Sequence, residues 1–476
     1  MGLIRYNSPM VQIFIVGMIC FCCPGMFNAL TGIGGQGKAS TEAATNAGTA
    51  TAVTFTICSL IGAPVYNLFG NRVLIPAALC YVLYVGSFLS KNDNFTIAAG
   101  AILGIGAGFL WTAQAGIMMS YPSEKDKGKA FSVFWVVFNL GATLGAAIPL
   151  GNEWNAGSMP QVQTTTYIAF MVIMAFGAAL SLALLPANKV VRSDGSHASL
   201  PKISNWKREA LEVFKLFKDW RMLILIPLFA GSNWFYTYQF NVYNGPGFMT
   251  KRARSLNNVL YWLFQMIGAG LFGWFLDSHR LGTRKQRALY GNTITFIIIL
   301  ALWVGCIFIQ KNFTREFVSL PSYVKIDVFD KEYPGLIIEY AFFGLIDAVY
   351  QGFIYWLMGT MTNDTERATR YGGFYKTIQN AANAIANQLE AQKVGYMTQL
   401  IVVMVINLVG LLLAYGVSWS VPDVTVETID NLKDGHAVTT LVGGHVDGDD
   451  LKVSSNPAVI KEDQHMDEHL YEKAEA

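Results

Sequence analysis

The sequence predicts an all-α integral membrane protein with twelve transmembrane helices in two pseudo-symmetric six-helix halves. Three observations lead there. Hydrophobic residues make up 53% of the chain and charged residues only 14%, a balance too apolar for a soluble enzyme. Stretches of about 20 mostly apolar residues, long enough to cross a bilayer, recur along its length. Residues 27–34 (Phe-Asn-Ala-Leu-Thr-Gly-Ile-Gly) and 240–247 (Phe-Asn-Val-Tyr-Asn-Gly-Pro-Gly) share the pattern F-N-x-x-x-G-x-G, 213 positions apart. Six spans separate the copies, so both run through the bilayer in the same direction, as in parallel halves related by an axis along the membrane normal.

The spans fall at 9–31, 47–69, 73–90, 96–119, 130–150, 165–185, 222–243, 257–276, 288–309, 335–358, 369–390 and 398–419. The first is too long for a signal-peptide core and carries one copy of the repeat, so it reads as a retained helix. The eleventh is the least apolar, and the repeat is the reason to count it. Phe131, Phe134, Trp135 and Asn139 of span five match Tyr371, Phe374, Tyr375 and Gln379, each 240 residues on. Gln114 in span four matches Gln351, 237 residues on. The expected division is a first half at 1–185, a linker at 186–221, a second half at 222–420 and a polar tail at 421–476. The tail is rich in acids and poor in apolar residues and is expected to be disordered. In the linker, Trp206, Ala210, Val213, Phe214 and Phe217 share one helical face among basic residues, which suits a helix on a membrane surface or a solvated connector.

Orientation follows from Lys and Arg. With the N-terminus inside, 23 of the 34 cations fall in inner loops and tail, ten in outer loops, and Lys376 within span eleven. Both termini are then cytoplasmic, in the plasma membrane or an endomembrane such as the vacuole. Asn94-Phe-Thr96 and Asn312-Phe-Thr314 become outward-facing glycosylation sequons, with Asn312 the better acceptor because Asn94 borders the membrane.

Several chemistries are excluded by context. Residues 32–37 match G-x-G-x-x-G, but they follow a helix rather than a strand and open no βαβ unit, so no dinucleotide site is implied. There is no phosphate-binding loop, zinc signature or nucleophile elbow. The six cysteines lie in apolar spans and form no disulfide framework. No catalytic residue, cofactor, metal or nucleic-acid partner is expected.

What remains is polarity at membrane depth, which is costly and faces a bundle interior or a cavity. Asn28, Gln114, Asn241 and Gln351 lie in spans one, four, seven and ten. They can line a cavity or hydrogen-bond across helices to hold the bundle. Asp347 sits midway along span ten, where a carboxylate implies proton or cation coupling or a buried counter-ion. The available cation is Lys376, on a stripe with Gln379, Asn383, Asn387 and Glu390. An amide at 347 is expected to preserve volume and hydrogen bonding if Asp347 couples transport, and to damage folding, with Lys376→Met as a partial rescue, if Asp347 balances Lys376. The loop after span eight, Gly273-x-x-x-Asp277 then Gly282-Thr-Arg284-Lys285, can form a charge latch in which Asp277 faces Arg284, Arg280 or Lys285. The matching loop of the first half reads Ala63-x-x-x-Asn67-x-x-Gly70-Asn-Arg72, without the acid.

These two loops resemble, in degenerate form, the signature of the major facilitator superfamily. A closer resemblance is to one of its branches, the uncoordinated-ninety-three-like family, named for ion channel regulatory membrane proteins. It is carried by Pro24-Gly-Met-Phe-Asn-Ala-Leu, by Gly106-Ala-Gly108-Phe-Leu-Trp111-Thr-Ala-Gln114, and by Tyr121-Pro-Ser-Glu-Lys-Asp-Lys-Gly128-Lys-Ala-Phe-Ser, in a form that resembles fungal members. The resemblance implies a twelve-helix facilitator fold. The resemblance leaves two functions open: secondary transport of a small solute by alternating access, for which the Asp347 carboxylate offers proton or cation coupling, or regulation and escort of another membrane protein without transport. Bulky Trp111, Trp234, Tyr236, Tyr238 and Trp356 could fill the cavity of such a scaffold.

Overall fold

Hydropathy places the helices before any tertiary information is used. The computed structural model describes residues 5–32, 41–90, 92–155, 164–192, 195, 197, 206–423, 426–430 and 437–441. A helix stands at each of the twelve expected spans. Span one runs Pro9–Cys20, then a π turn at Phe21–Gly25, then Met26–Gly32. Pro24 lies in that turn; it has no backbone N–H to give an α-helical ladder, and the wider turn absorbs the loss. Spans two to six are Thr41–Phe69, Leu74–Ser87, Asp93–Ser120, Lys127–Asn155 and Thr164–Leu180. Span seven is Ile226–Tyr236 and ends, like span one, in a π turn, at Thr237–Tyr243. Spans eight to twelve are Lys251–Asp277, Arg284–Gln310, Tyr333–Gly359, Thr365–Ala391 and Tyr396–Trp419.

Eight described segments are long and apolar enough to cross a membrane, with spans two and three counted as one run of 42 residues. Span six is apolar but shorter, span seven is broken into pieces, and span eleven is polar. Span eleven owes its place to burial of its polar stripe inside the bundle, which the repeat foretold.

The halves meet through a symmetric set of helix pairs. Span two packs on span eleven, and its repeat mate, span eight, packs on span five. Gly128 and Gly273 stand where the backbones of spans five and eight touch, with no room for a Cβ on either. The two signature loops turn on matching glycines at positive φ, Gly70 at 62° and Gly282 at 101°, which a residue with a Cβ adopts only under strain. Large apolar side chains such as Val172, Phe176, Leu271, Trp274 and Phe308 remain exposed on the outside of the bundle, as a lipid-facing surface requires.

The linker and the tail carry local structure of their own. The linker forms a helix at Trp206–Lys215, followed by a 3₁₀ turn at Leu216–Lys218. Val213 and Leu216 are buried, Phe217 packs edge-on against Phe374, and Leu211 and Phe214 are exposed. In the tail, Val426–Asp430 pairs antiparallel with Ala437–Leu441. Both segments are rich in β-branched residues, which favour strands. Residues 424–425, 431–436 and 442–476 of the tail and the 33–37 part of the glycine run lie outside the described residues.

The segment between spans nine and ten is tied across the second half. Thr250 N–H donates to the Ile326 carbonyl and the Ile326 N–H to that of Phe248. Arg315 makes a two-pronged bond to Glu390 at 3.1 and 2.5 Å and lies over the Tyr396 ring. Burial alone would lower the Arg315 guanidinium pKa, but the Glu390 carboxylate outweighs it and holds it above its ordinary value. Arg315→Ala is expected to cost about 1–2 kcal/mol locally. Limited proteolysis of the purified protein should then cut the 311–332 segment faster than in the wild type.

Candidate functional site

Asp347 sits at the middle of span ten and is fully buried. Its Oδ2 accepts from Tyr236 Oη at 2.8 Å, Tyr261 Oη at 3.0 Å and Gln265 Nε2 at 2.6 Å. Its Oδ1 accepts from Gln351 Nε2 at 2.7 Å, one turn along the same helix. Spans seven, eight and ten thus each bring a donor, and a carboxylate is the side chain that can accept from all of them. Gln265 is itself held from the other half, where Trp135 Nε1 donates to its Oε1 at 2.8 Å.

From Asp347 the bonds continue toward span eleven. Gln379 Nε2 donates to Gln351 Oε1 at 3.2 Å and to Ser232 Oγ at 2.8 Å. Tyr375 Oη donates to the same Gln351 oxygen at 3.2 Å. Lys376 Nζ donates to Gln379 Oε1 at 2.8 Å. Asp347 and Lys376 are therefore joined through two glutamine amides rather than by contact. The Lys376 ammonium lies 4.7 Å from the Trp111 ring centroid, 4.8 Å from that of Tyr375 and 5.5 Å from that of Tyr355. Trp111 belongs to the first half, so the cation sits at the seam between halves. Tyr355 Oη donates across the same seam to Gln114 Oε1 at 3.2 Å.

A second cluster ties the halves at the end that carries loops 121–126, 278–283 and 360–364. Asp277 accepts from the backbone N–H of Gly128 at 2.8 Å and of Lys129 at 2.6 Å, the first turn of span five. Lys127 Nζ donates to the carbonyls of Gly359 and Thr362 and to Asn363 Oδ1, at the end of span ten. A carboxylate thus meets a helix N-terminus and an ammonium a helix C-terminus, both favourable to the helix dipoles. Arg284 pairs with Glu124 at 3.3 Å, and Asn363 Nδ2 donates to the same Glu124 oxygen at 2.8 Å.

The expected latch is therefore built differently. Asp277 bonds to span five of the other half, while Arg284 bonds to Glu124. Arg280 is exposed, and Lys285 lies over the Trp419 ring. The reason is position: Asp277 ends span eight where Gly273 brings span five into backbone contact. Asn67 is buried at the matching end of span two, and Arg72 is exposed. The lost acid at 67 has a structural explanation, because span eleven caps its own start. Asp364 accepts there from the Arg367 N–H at 3.1 Å.

Of the cavity candidates, Gln114, Asp347, Gln351, Lys376 and Gln379 come together. Asn383 is half-buried further along the stripe and accepts from Asn387 Nδ2 at 3.5 Å. Asn28 is half-buried in span one. Asn241 does not join; it is exposed, nine residues and roughly 13 Å of helix beyond Ser232. Ser232, Tyr261, Gln265 and Tyr375 complete the network but were not singled out from sequence. Gln265 carried the same signal as Gln114, an amide within an apolar span. The tyrosines carried none, since a buried phenol reads as apolar bulk. Among the residues expected to fill a scaffold, Tyr238 and Trp356 are buried, while Trp111, Trp234 and Tyr236 are half-buried.

Asn312 and Thr314 are both exposed, whereas Thr96 of the other sequon is fully buried. Asn312→Gln is expected to abolish a glycosidase-sensitive mobility shift in a eukaryotic host, and Asn94→Gln to leave it intact.

Two like halves of six helices, joined by pairs two–eleven and five–eight around a buried polar chain, define a multi-pass membrane protein with the major facilitator fold. Among solved structures, the proton:xylose symporter XylE bound to 6-bromo-6-deoxy-D-glucose matches with a TM-score of 0.55 at 12% identity, over 88% of this chain and 96% of that one, a likeness of fold. The family described as ion channel regulatory protein UNC-93 matches residues 40–414. UNC93-like protein 1 of Arabidopsis thaliana is 42% identical over 405 residues, 84% of this chain and 87% of that protein. A UNC93-like protein of Schizosaccharomyces pombe is 36% identical over 434 residues, 90% of this chain and 86% of that protein. The chain belongs to the UNC-93 family.

Proposed function

We propose that this protein is a secondary transporter that moves a small solute by alternating access, with Asp347 as the proton-carrying group. The observation that carries the reading is the buried chain Asp347–Gln351–Gln379–Lys376, which reaches the seam between the halves at mid-membrane. A carboxylate and an ammonium in that position are costly to bury and are retained where charge has work to do. The cluster of Asp277, Lys127, Glu124 and Arg284 acts as the closure of one end. Breaking it lets the halves rock and exposes the polar chain to that side. The excess of basic loops makes this end cytoplasmic, with both termini inside and the protein in the plasma membrane or an endomembrane. A reporter fused after residue 420 should read as cytoplasmic.

A second reading is favoured by the fully buried Tyr355, Tyr371, Tyr375 and Trp135, which fill the centre with aromatic bulk, and by the description of the family as ion channel regulatory. On that reading the protein regulates or escorts another membrane protein. Nothing in either reading calls for enzymatic chemistry. Untargeted metabolite uptake into proteoliposomes, with and without a proton gradient, separates the two. Accumulation of a solute that responds to the gradient supports transport. No accumulation, together with co-purification of a channel from native membranes, supports the scaffold.

A further inference from the structure

The two buried charges of the central chain differ in how well they are satisfied. Asp347 accepts from four donors, three on Oδ2 and one on Oδ1. Lys376 has three N–H donors. One reaches Gln379 Oε1, and the ammonium also lies against the faces of Trp111, Tyr355 and Tyr375. Rings stabilise a cation through their quadrupole but supply no lone pair for its remaining hydrogens. Lys376 is 4% exposed, so bulk water does not supply one either.

The surroundings form a built receptor. Tyr375 is held by its bond to Gln351, Tyr355 by its bond to Gln114, and Trp111 by edge-on packing against Phe134 and Phe138. Burial falls along the stripe of span eleven: Lys376 and Gln379 are buried, while Asn383 and Asn387 are half-buried. The stripe therefore leads inward from amides to the ammonium. A group arriving there meets two unused donors, a positive charge and three aromatic walls.

We propose that Lys376 is the docking point for the carboxylate of a small organic acid, whose apolar body packs among Trp111, Tyr355 and Tyr375. The carboxylate supplies the missing acceptors and neutralises the cation, whereas a cationic solute meets like charge and a neutral amide leaves the charge uncompensated. This inference rests on the central chain being a solute site, as the transport reading holds, and it names the class of solute.

The test uses the full chain in lipid nanodiscs and its thermal unfolding midpoint. The probes are acetate, benzoate and phenylacetate, each against its primary amide at equal concentration and ionic strength, with benzylammonium as the cation. At least one of the acids is expected to raise the midpoint saturably, and its amide and benzylammonium are not. Lys376→Gln should lose the shift and Lys376→Arg should keep part of it. No shift with any acid, equal shifts from acid and amide, or a full shift in a folded Lys376→Gln protein would overturn the proposal. The comparison of acid with amide needs only the wild-type chain, so it decides the matter even if Lys376→Gln does not fold. Binding requires no translocation. A chain that binds the acid through Lys376 but accumulates nothing in proteoliposomes keeps this inference and removes transport. Uptake of neutral solutes without any acid shift does the reverse.

Discussion

Asp347→Asn is expected to destabilise the protein by about 3 kcal/mol or more and to abolish gradient-driven uptake. Sequence alone leaves two outcomes open: a mild change if Asp347 only couples transport, since the amide matches the acid in volume, or damaged folding with partial rescue by Lys376→Met if it balances Lys376. The hydrogen bonds favour the second. Tyr236, Tyr261, Gln265 and Gln351 all donate to the carboxylate. An asparagine must turn its own NH₂ toward one of them, leaving two donors face to face in a dry site. The substitution also removes the buried charge that opposes Lys376 through the two glutamines. Lys376→Met on the Asp347→Asn background should therefore recover part of the loss, because a buried cation without an opposing charge is dearer than a methionine of similar length. Thermal unfolding of the purified variants measures both effects. A single variant that melts with the wild type, or a double variant no better than the single, would show that the four bonds and the opposing charge contribute little.

The second large effect is expected at the closed end. Asp277→Asn keeps one acceptor for the first turn of span five and loses the other, together with the negative charge at that helix N-terminus. The combined cost is about 2 kcal/mol. Lys127→Met removes the cation from the end of span ten. The double variant should shift the protein toward the state open at this end, read as faster alkylation of a cysteine placed on the buried side of loop 360–364. Asn67→Asp should do little by comparison, because Asp364 already caps the helix that position 67 would face. Equal and negligible changes in alkylation for Asp277→Asn and Asn67→Asp would reduce both loops to remnants of the repeat.

Much of this was legible from the chain. The polar stripe of span eleven, the repeat match of Gln114 with Gln351 and the mid-span place of Asp347 all follow from spacing and from the cost of polarity in lipid. Asn241 shows the limit of that reasoning. Its place in the repeat matched Asn28, yet its distance along span seven puts it past the network. Asp277 shows another limit, since its nearest basic residues in sequence are not its bonding partners.

The sequence by itself determined the membrane class, the twelve spans, the doubling of the halves and the family. Those properties rest on local hydropathy, on short motifs and on a repeat offset, which need no knowledge of how helices turn toward one another. Only the tertiary structure decided which polar groups meet. Asp347 finds Tyr261 and Gln265 some 80 residues away, Lys376 finds Trp111 in the other half, and Asp277 finds the start of span five. A hydrogen bond fails when its atoms separate by about an ångström. The rotation of each helix about its axis therefore decides the network, and that rotation is fixed by packing of the whole bundle, not by any one span.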